Sequence, residues 1–354
     1  MKILTVIGAR PQFIKAAPLS IELKKHNINE VLVHTGQHFD SNMSEVFFFQ
    51  LGIPKPLYNL NINSLPHGAM VGRMLEQLEQ IMIAECPDWV LVYGDTNSTL
   101  AAAIAAKKLN IKLIHVEAGL RSFNNRMPEE INRILTDRIS DLLFCPTETA
   151  LQNLINEGFD NLPSRKIISG DVMLDAAMLF SSNLVIESIV PTPYIMVTVH
   201  RAENTNDGER LSSIFKALDR ISLEMGILII LHPRTKAKMA EHNVIPGARI
   251  KIIEPVGYEE NMALLKNSEL LLTDSGGMQK EAFFMKKKCV TLRDETEWVE
   301  LVDYGYNILA GADEELIVKS TIGMLFSKVN FTHDFYGSGN ACEIIVQEII
   351  NYKG

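Results

Sequence analysis

Leu270-Leu271-Leu272-Thr273-Asp274-Ser275-Gly276-Gly277-Met278-Gln279-Lys280-Glu281 decides how this chain is read. An apolar run stops abruptly at Thr273, small and polar residues follow, and a helix-compatible segment starts at Met278. That succession predicts a buried parallel strand, a glycine turn and a helix start. Small residues at such a turn let backbone N–H groups approach a phosphate, and the helix N-terminus adds roughly half a positive charge. Glu281 falls one turn into the helix, where a carboxylate can take the hydroxyls of a ribose. Ser275 alone would make an ordinary N-cap, but two adjacent glycines exceed what a cap requires. The stretch therefore reads as a cradle for a nucleotide diphosphate.

The same strand-to-helix unit recurs along the chain. Strands are expected at 3–7, 30–35, 89–93, 112–117 and 142–145, with helices at 12–25, 70–84 and 98–109. The pattern breaks in a loop at 160–164, passes a short strand or connector at 166–170, and restarts. Strands are then expected at 194–199, 226–231, 250–253, 270–273 and 288–292, with helices at 209–225 and 259–267. Short apolar strands alternating with helices predict a parallel sheet covered on both faces. A chain of 354 residues is too long for one core. The fold class expected is α/β, with two Rossmann-like doubly wound domains. Their expected spans are 1–168 and 169–340, followed by a terminal helix at 341–354.

Composition narrows the function. Hydrophobic residues at 47% and charged residues at 22% describe a globular protein, and a net charge of −9 argues against a nucleic-acid surface. Cys86, Cys145, Cys289 and Cys342 lie far apart without a C-x-x-C pair, so neither a disulfide framework nor a zinc site is expected. The sequence opens directly into a strand and holds no apolar stretch of membrane-spanning length. A cytoplasmic protein without membrane partners is the expectation.

Ligands of doubly wound folds sit at the carboxyl ends of the strands, so the residues just after each strand carry the information. In the first half these are Gly8-Ala9-Arg10-Pro11-Gln12-Phe13-Ile14-Lys15, Thr35-Gly36-Gln37-His38, Gly94-Asp95-Thr96 and His115-Val116-Glu117-Ala118-Gly119-Leu120-Arg121. In the second half they are His200-Arg201-Ala202-Glu203-Asn204, His232-Pro233-Arg234-Thr235 and the Ser275-Gly276-Gly277 turn. One charged strand end is commonplace, whereas an unbroken series of acids, histidines and arginines points to a ligand. No G-x-G-x-x-G, P-loop or H-E-x-x-H motif occurs, so neither a bound NAD, nor a P-loop nucleotide, nor a compact metal site is expected.

Together with Met127-Pro128-Glu129-Glu130-Ile131-Asn132-Arg133, these motifs make the chain resemble the non-hydrolysing UDP-N-acetylglucosamine 2-epimerases, in order and from residue 1 to about 345. The resemblance implies a GT-B fold, a homodimer, a UDP-sugar substrate, no added cofactor, and a terminal helix that crosses back to the N-terminal domain. By likeness, Asp95, Glu117 and Glu129 match the family's catalytic carboxylates and His200 its catalytic histidine. The family pattern places Arg10, Gly257 and Tyr258 at the uracil, Ser275, Gly276 and Gly277 at the diphosphate, and Glu281 at the ribose. Lys15, His232 and Arg234 are expected to join the UDP-binding set, with His38, Arg121, Glu297 and Trp298 on the sugar side. The implied chemistry suits these groups. The hydrogen on C2 is not beside a carbonyl, so direct deprotonation is hard. Expelling UDP from C1 while a carboxylate removes that hydrogen gives a glycal, and re-addition with protonation on the other face inverts C2.

Two departures bear on the substrate. Thr296-Glu297-Trp298-Val299 stands where many members carry Thr-Glu-Arg-Pro, and His232-Pro233-Arg234-Thr235 where many have a neutral turn. Both look like the branch acting on UDP-2,3-diacetamido-2,3-dideoxyglucuronate, whose extra carboxylate an added arginine could pair. The family as a whole implies UDP-GlcNAc as the expected substrate, with the modified uronate as the alternative and a GT-B glycosyltransferase as a further one. Residues 39–43 depart from the segment with which some relatives bind an activating second UDP-GlcNAc.

Overall fold

The computed structural model describes residues 1–37, 53–181 and 193–352. The chain divides into two compact units, Met1–Leu179 with Asp334–Gly354, and Phe180–His333. The sequence reading set these edges near 168 and 340.

In the first unit the chain runs β1 (Lys2–Ile7), α1 (Arg10–Lys25), β2 (Asn29–His34), β3 (Tyr58–Asn59), α2 (His67–Glu85), β4 (Trp89–Tyr93), α3 (Asn97–Lys108), β5 (Lys112–Val116), α4 (Pro128–Ile139), β6 (Leu142–Cys145), α5 (Glu148–Asn156) and β7 (Arg165–Ile168). Its sheet has the order β3-β2-β1-β4-β5-β6-β7. Every pairing among the described strands is parallel. The order reverses at β1 and β4, the place where such sheets open to a ligand. β4 is buried along its whole length, because helices cover both faces and all five residues are apolar or aromatic. Met70, Met74, Leu78 and Met82 form the buried stripe of α2 at helical spacing. Alanines fill α3, which is buried on most of its surface, and the Thr96 hydroxyl caps it by accepting from the Thr99 N–H.

The second unit follows α6 (Val172–Ser181) and runs β8 (Tyr194–Thr198), α7 (Ala202–Thr205), α8 (Gly208–Ile221), β9 (Gly226–Ile230), α9 (Pro233–Glu241), β10 (Ile250–Ile253), α10 (Tyr258–Asn267), β11 (Leu270–Thr273), α11 (Gly276–Phe284), β12 (Lys288–Thr291), α12 (Val299–Asp303), β13 (Asn307–Leu309) and α13 (Glu314–Phe326). Its parallel sheet has the order β10-β9-β8-β11-β12-β13 and reverses at β8 and β11. Leu211, Ile214, Phe215, Leu218 and Ile221 line the inner face of α8 against Ile195, Val197 and Ile229 of the sheet.

The chain then returns to the first unit as α14 (Ala341–Ile350). Asp175 caps that helix, accepting from the N–H groups of Ala341 (3.2 Å) and Cys342 (2.9 Å). The helix packs on α1, and beyond it Tyr352 meets the edge of Trp89 at 4.9 Å. Among the described residues no helix is long and apolar enough to cross a membrane. All four cysteines are free thiols, Cys86 exposed and the others buried.

Differences from the sequence expectation have local causes. β3 and β13 have two and three residues, too short to show a period. β5 ends at Val116 because Glu117 turns to φ +70° and leaves the ladder. α11 begins at Gly276, two residues before the expected Met278, because Ser275 already serves as its N-cap.

Candidate active site

The first strand-end loop is closed by a side chain. Gln12 Oε1 accepts from the N–H groups of Gly8 (2.8 Å) and Ala9 (3.0 Å). Its amide nitrogen donates to the Tyr93 carbonyl (2.8 Å) and to the Thr96 and Thr99 hydroxyls (3.0 Å each). The N–H groups that a dinucleotide-binding loop would offer to phosphate therefore serve as an internal tie between β1 and β4. Gly8 must be glycine here, since a Cβ would lie 2.1 Å from Thr35 Oγ1 and 2.2 Å from Ser98 Oγ.

Past that tie, Lys15 on α1 forms an ion pair with Glu117 at the end of β5, the two side chains being 14% and 6% exposed. Their charged ends lie over Gly94, where a Cβ would stand 3.3 Å from Glu117 Oε2 and 3.7 Å from Lys15 Nζ. Next in the chain is Asp95, its side chain 30% exposed and paired with Arg133. Asn132 donates to the Asp95 carbonyl at 2.8 Å. Lys15, Asp95 and Glu117 are thus brought together at the ends of β4 and β5. Glu117 holds φ +70°, a conformation that non-glycine residues adopt at a cost and that recurs at functional positions. Arg10 opens α1 and is half-buried.

Helix α4 separates the two adjacent acids by function. Glu130 is 1% exposed and accepts from the Ser122 N–H, the Ser122 hydroxyl and the Phe123 N–H, each at 2.9 Å, and from Arg133 at 2.8 Å. Glu129 is half-exposed, and among the described residues its carboxylate has no hydrogen-bond partner. Burial works to raise the Glu130 carboxyl, but the Ser122 and Phe123 N–H groups and Arg133 outweigh it and hold the group below its ordinary 4.5. A depressed folded value means that this carboxylate stabilises the fold above 4.5 and loses that contribution as pH falls through the folded value. Glu130→Gln should lower the urea midpoint near neutral pH and cost progressively less in acid. A difference that stays constant with pH would remove the ionic account.

Arg121, expected on the sugar side, has its guanidinium enclosed at 1% exposure. It donates to Asp137 Oδ2 (2.7 Å), to both Glu157 oxygens (2.7 and 2.8 Å) and to the Leu120 carbonyl (2.8 Å). Asp137 also accepts from His115 Nδ1 (2.7 Å) and from the Gly119 N–H (3.1 Å). His38 lies outside the described residues.

In the second unit Asp274 is the organiser. Fully buried, it accepts from the His200 N–H (3.0 Å), the Arg201 N–H (2.9 Å) and the Asn204 amide (3.2 Å), and His200 Nδ1 stands 3.5 Å away. These contacts fix the turn after β8 against the end of β11 and leave the His200 side chain 45% exposed. Ser275 caps α11 through the Met278 N–H at 3.5 Å. Gly277 is exposed, with open space where a Cβ would be. At Gly276 a Cβ would lie 3.4 Å from Glu297 Oε2 and 3.7 Å from Arg201 Nη2, so those two side chains flank the helix start. Burial pushes the Glu297 carboxyl up, but hydrogen bonds and Arg293, 3.0 Å away, hold it below its ordinary value.

Trp298 donates its indole N–H to the Gly276 carbonyl (2.8 Å), and Lys280 Nζ stands 4.3 Å from its ring centroid. Glu281 is buried on α11. Gly257 is the N-cap of α10, followed by the buried Tyr258, and α10 meets α11 through Asn261 and Met278 (3.2 Å). His232 caps α9 by accepting from the Arg234 N–H (3.2 Å), and both side chains are exposed.

Two doubly wound parallel sheets, one in each unit, with polar groups at the strand ends of both, are the architecture of the GT-B class. The family model for UDP-N-acetylglucosamine 2-epimerases matches residues 21–350. The chain belongs to that family and is an epimerase, an isomerase. It is 52% identical to the UDP-2,3-diacetamido-2,3-dideoxy-D-glucuronate 2-epimerase of Pseudomonas aeruginosa, over 98% of this chain and 99% of the relative. Its structure matches that of the Methanocaldococcus jannaschii UDP-GlcNAc 2-epimerase in complex with UDP-GlcNAc and UDP, with TM-score 0.86 and 43% identity over 99% of this chain and 100% of that one. The Neisseria meningitidis UDP-GlcNAc 2-epimerase bound to UDP-GlcNAc matches with TM-score 0.87 and 32% identity, again over 99% and 100%. The family resemblance and fold read from the motifs agree with these findings.

Sequence reasoning gave no role to the residues that hold these strand ends in place: Gln12, Asn132, Arg133 and Asp137 in the first unit and Asp274 in the second. One signal was present. The buried residues of α4 are Glu130, Asn132, Thr136 and Asp137, all polar, while Ile131 and Leu135 are exposed. A polar stripe at helical spacing beside a cluster of strand-end acids marks a helix that binds side chains rather than a core.

Proposed function

We propose that this enzyme epimerises C2 of UDP-2,3-diacetamido-2,3-dideoxyglucuronate by elimination and re-addition of UDP. In the forward direction a carboxylate takes the C2 proton and the C1–oxygen bond breaks. UDP leaves with the bonding pair, and a C1–C2 double bond forms in the sugar. Re-addition of UDP to C1, with a proton delivered to the opposite face of C2, restores the nucleotide sugar as its epimer. Asp95, Glu117 and Glu129 are the proton-transfer groups in this reading, and an ammonium held against Glu117 favours the proton-accepting carboxylate. His200 and the N–H groups at Gly276 and Gly277 stabilise the departing diphosphate. Glu281 serves the ribose, and Arg10 with the Gly257–Tyr258 turn serves the uracil.

The observation that carries the substrate is the 52% identity over full length to the Pseudomonas enzyme, against 43% to the Methanocaldococcus one. Arg234 and His232 at the end of β9 add exposed groups suited to a second carboxylate. UDP-GlcNAc is the second reading, supported by the two structural matches whose complexes contain it. The decisive experiment incubates the protein with each sugar nucleotide in D₂O and follows it by NMR. Deuterium at C2 of an intact UDP-sugar together with a second epimer is expected, faster with the uronate. Free sugar would indicate hydrolysis instead, and a glycosylated acceptor would indicate transfer. The same reading includes a homodimer, supported by the family resemblance and by exposed Phe123, Ile131 and Leu135 around α4. Sedimentation at the monomer mass would exclude it.

A further inference from the structure

The strand-end motif contains a histidine that the reaction does not use. His115 lies on β5, fully buried, two residues before Glu117. Its Nδ1 is 2.7 Å from Asp137 Oδ1 and its Nε2 is 2.8 Å from the Gly94 carbonyl oxygen. Neither partner offers a proton of its own when Asp137 is ionised, since a carbonyl and a carboxylate only accept. The other oxygen of Asp137 accepts from the Arg121 guanidinium at 2.7 Å and from the Gly119 N–H at 3.1 Å. With the Asp137 carboxylate and the Gly94 carbonyl both placed as acceptors, the geometry gives each nitrogen of the His115 ring a donor's role.

The two groups that this ring bridges belong to the two segments that carry the acids. Gly94 immediately precedes Asp95 and holds φ +59°, while Gly119 follows Glu117 and holds φ +79°. Asp137 is on α4, the helix whose Asn132 and Arg133 grip the backbone and side chain of Asp95. Asp137 also acts on Cys145 of β6, whose thiol burial pushes up to about 12. Among the described residues the charged groups around the bridge include Asp137, Arg121 with its partner Glu157, and Glu117 with its partner Lys15.

We infer that His115 is a positioning residue, a doubly donating bridge between the Gly94 carbonyl and the Asp137 carboxylate that sets Asp95 and Glu117 in register with one another. The inference rests on the reading of those two acids as the groups that exchange the C2 proton. Slack at either strand end that displaces a carboxylate by about an ångström costs about 10- to 100-fold in rate.

The test uses His115→Gln, whose side-chain amide cannot span both acceptors. We expect kcat for C2 deuterium exchange to fall about 10- to 100-fold while KM and the UDP dissociation constant stay within about twofold. In ¹⁵N-labelled protein, the amide signals of Gly94, Asp95 and Glu117 should shift, and those of the strands in the second unit should not. Unchanged kcat, or a rise in KM that accounts for the whole loss, would overturn the assignment, as would unmoved Gly94 and Asp95 amides. If neither sugar is exchanged by the parent enzyme, the proposed reaction fails, and the amide shifts still decide the bridge. Should the variant not fold, the parent protein suffices. Two ring N–H protons on His115 at neutral pH support the bridge, and a single one overturns it.

Discussion

Replacing Glu117 with glutamine should slow C2 deuterium exchange by about 10²- to 10⁴-fold and leave UDP affinity within about twofold, because the change removes a proton acceptor and little else. The amide matches the carboxylate in shape and can still accept a hydrogen bond from Lys15, whose ammonium now pairs with Glu117. The left-handed backbone at this residue (φ +70°) is set by the surrounding loop, which Asp137 anchors at Gly119, so it should persist in the variant. Single-turnover exchange in D₂O and calorimetric titration with UDP separate the two effects. Loss of UDP binding in step with the rate would show that Glu117 organises the nucleotide site rather than moving a proton.

A comparable effect, on stability, is expected from Asp274→Ala. Its carboxylate is fully buried and receives the N–H groups of His200 and Arg201 and the Asn204 amide. The alanine leaves all three donors without their acceptor, and buried hydrogen bonds to a charged group are worth about 1.5–3 kcal/mol each, so a loss of about 3–5 kcal/mol is reasonable once the turn relaxes. Urea unfolding should register it in the second unit. The turn that places His200 loosens with it, so UDP should bind at least about tenfold more weakly. A stability change below about 1 kcal/mol would mean that water replaces the carboxylate and that the turn is held by its backbone alone.

The architecture was legible because its signals are local. Strands such as β4 and β11 are unbroken apolar runs that end in charged or small residues, and the glycine turn before α11 announces the helix. The candidate acids were legible for the same reason, since Glu117 follows β5 directly and Asp95 follows β4 after one glycine. Their supports were not, because every one reaches across the sequence. Arg133 meets Asp95 and Arg121 meets Asp137 from separate elements, and no periodicity links such partners. Tryptophan at 298 illustrates a different obstacle. Its place in the family pattern suggested the sugar, whereas its indole N–H is used on the Gly276 carbonyl. A side chain that supports the helix start and one that touches ligand occupy the same position in a linear motif.

The way α14 rejoins the first unit also bears on how the polypeptide is made. The helix that Asp175 caps, and that lies on α1, is translated only after the whole of Phe180–His333. At roughly 5–20 residues per second, the ribosome needs about 8–30 s to cross that interval. Throughout it the nascent α1 lacks the helix that packs on it, so the earlier-synthesised portion is the one that should recruit holdase chaperones and the later-synthesised portion the one that matures first.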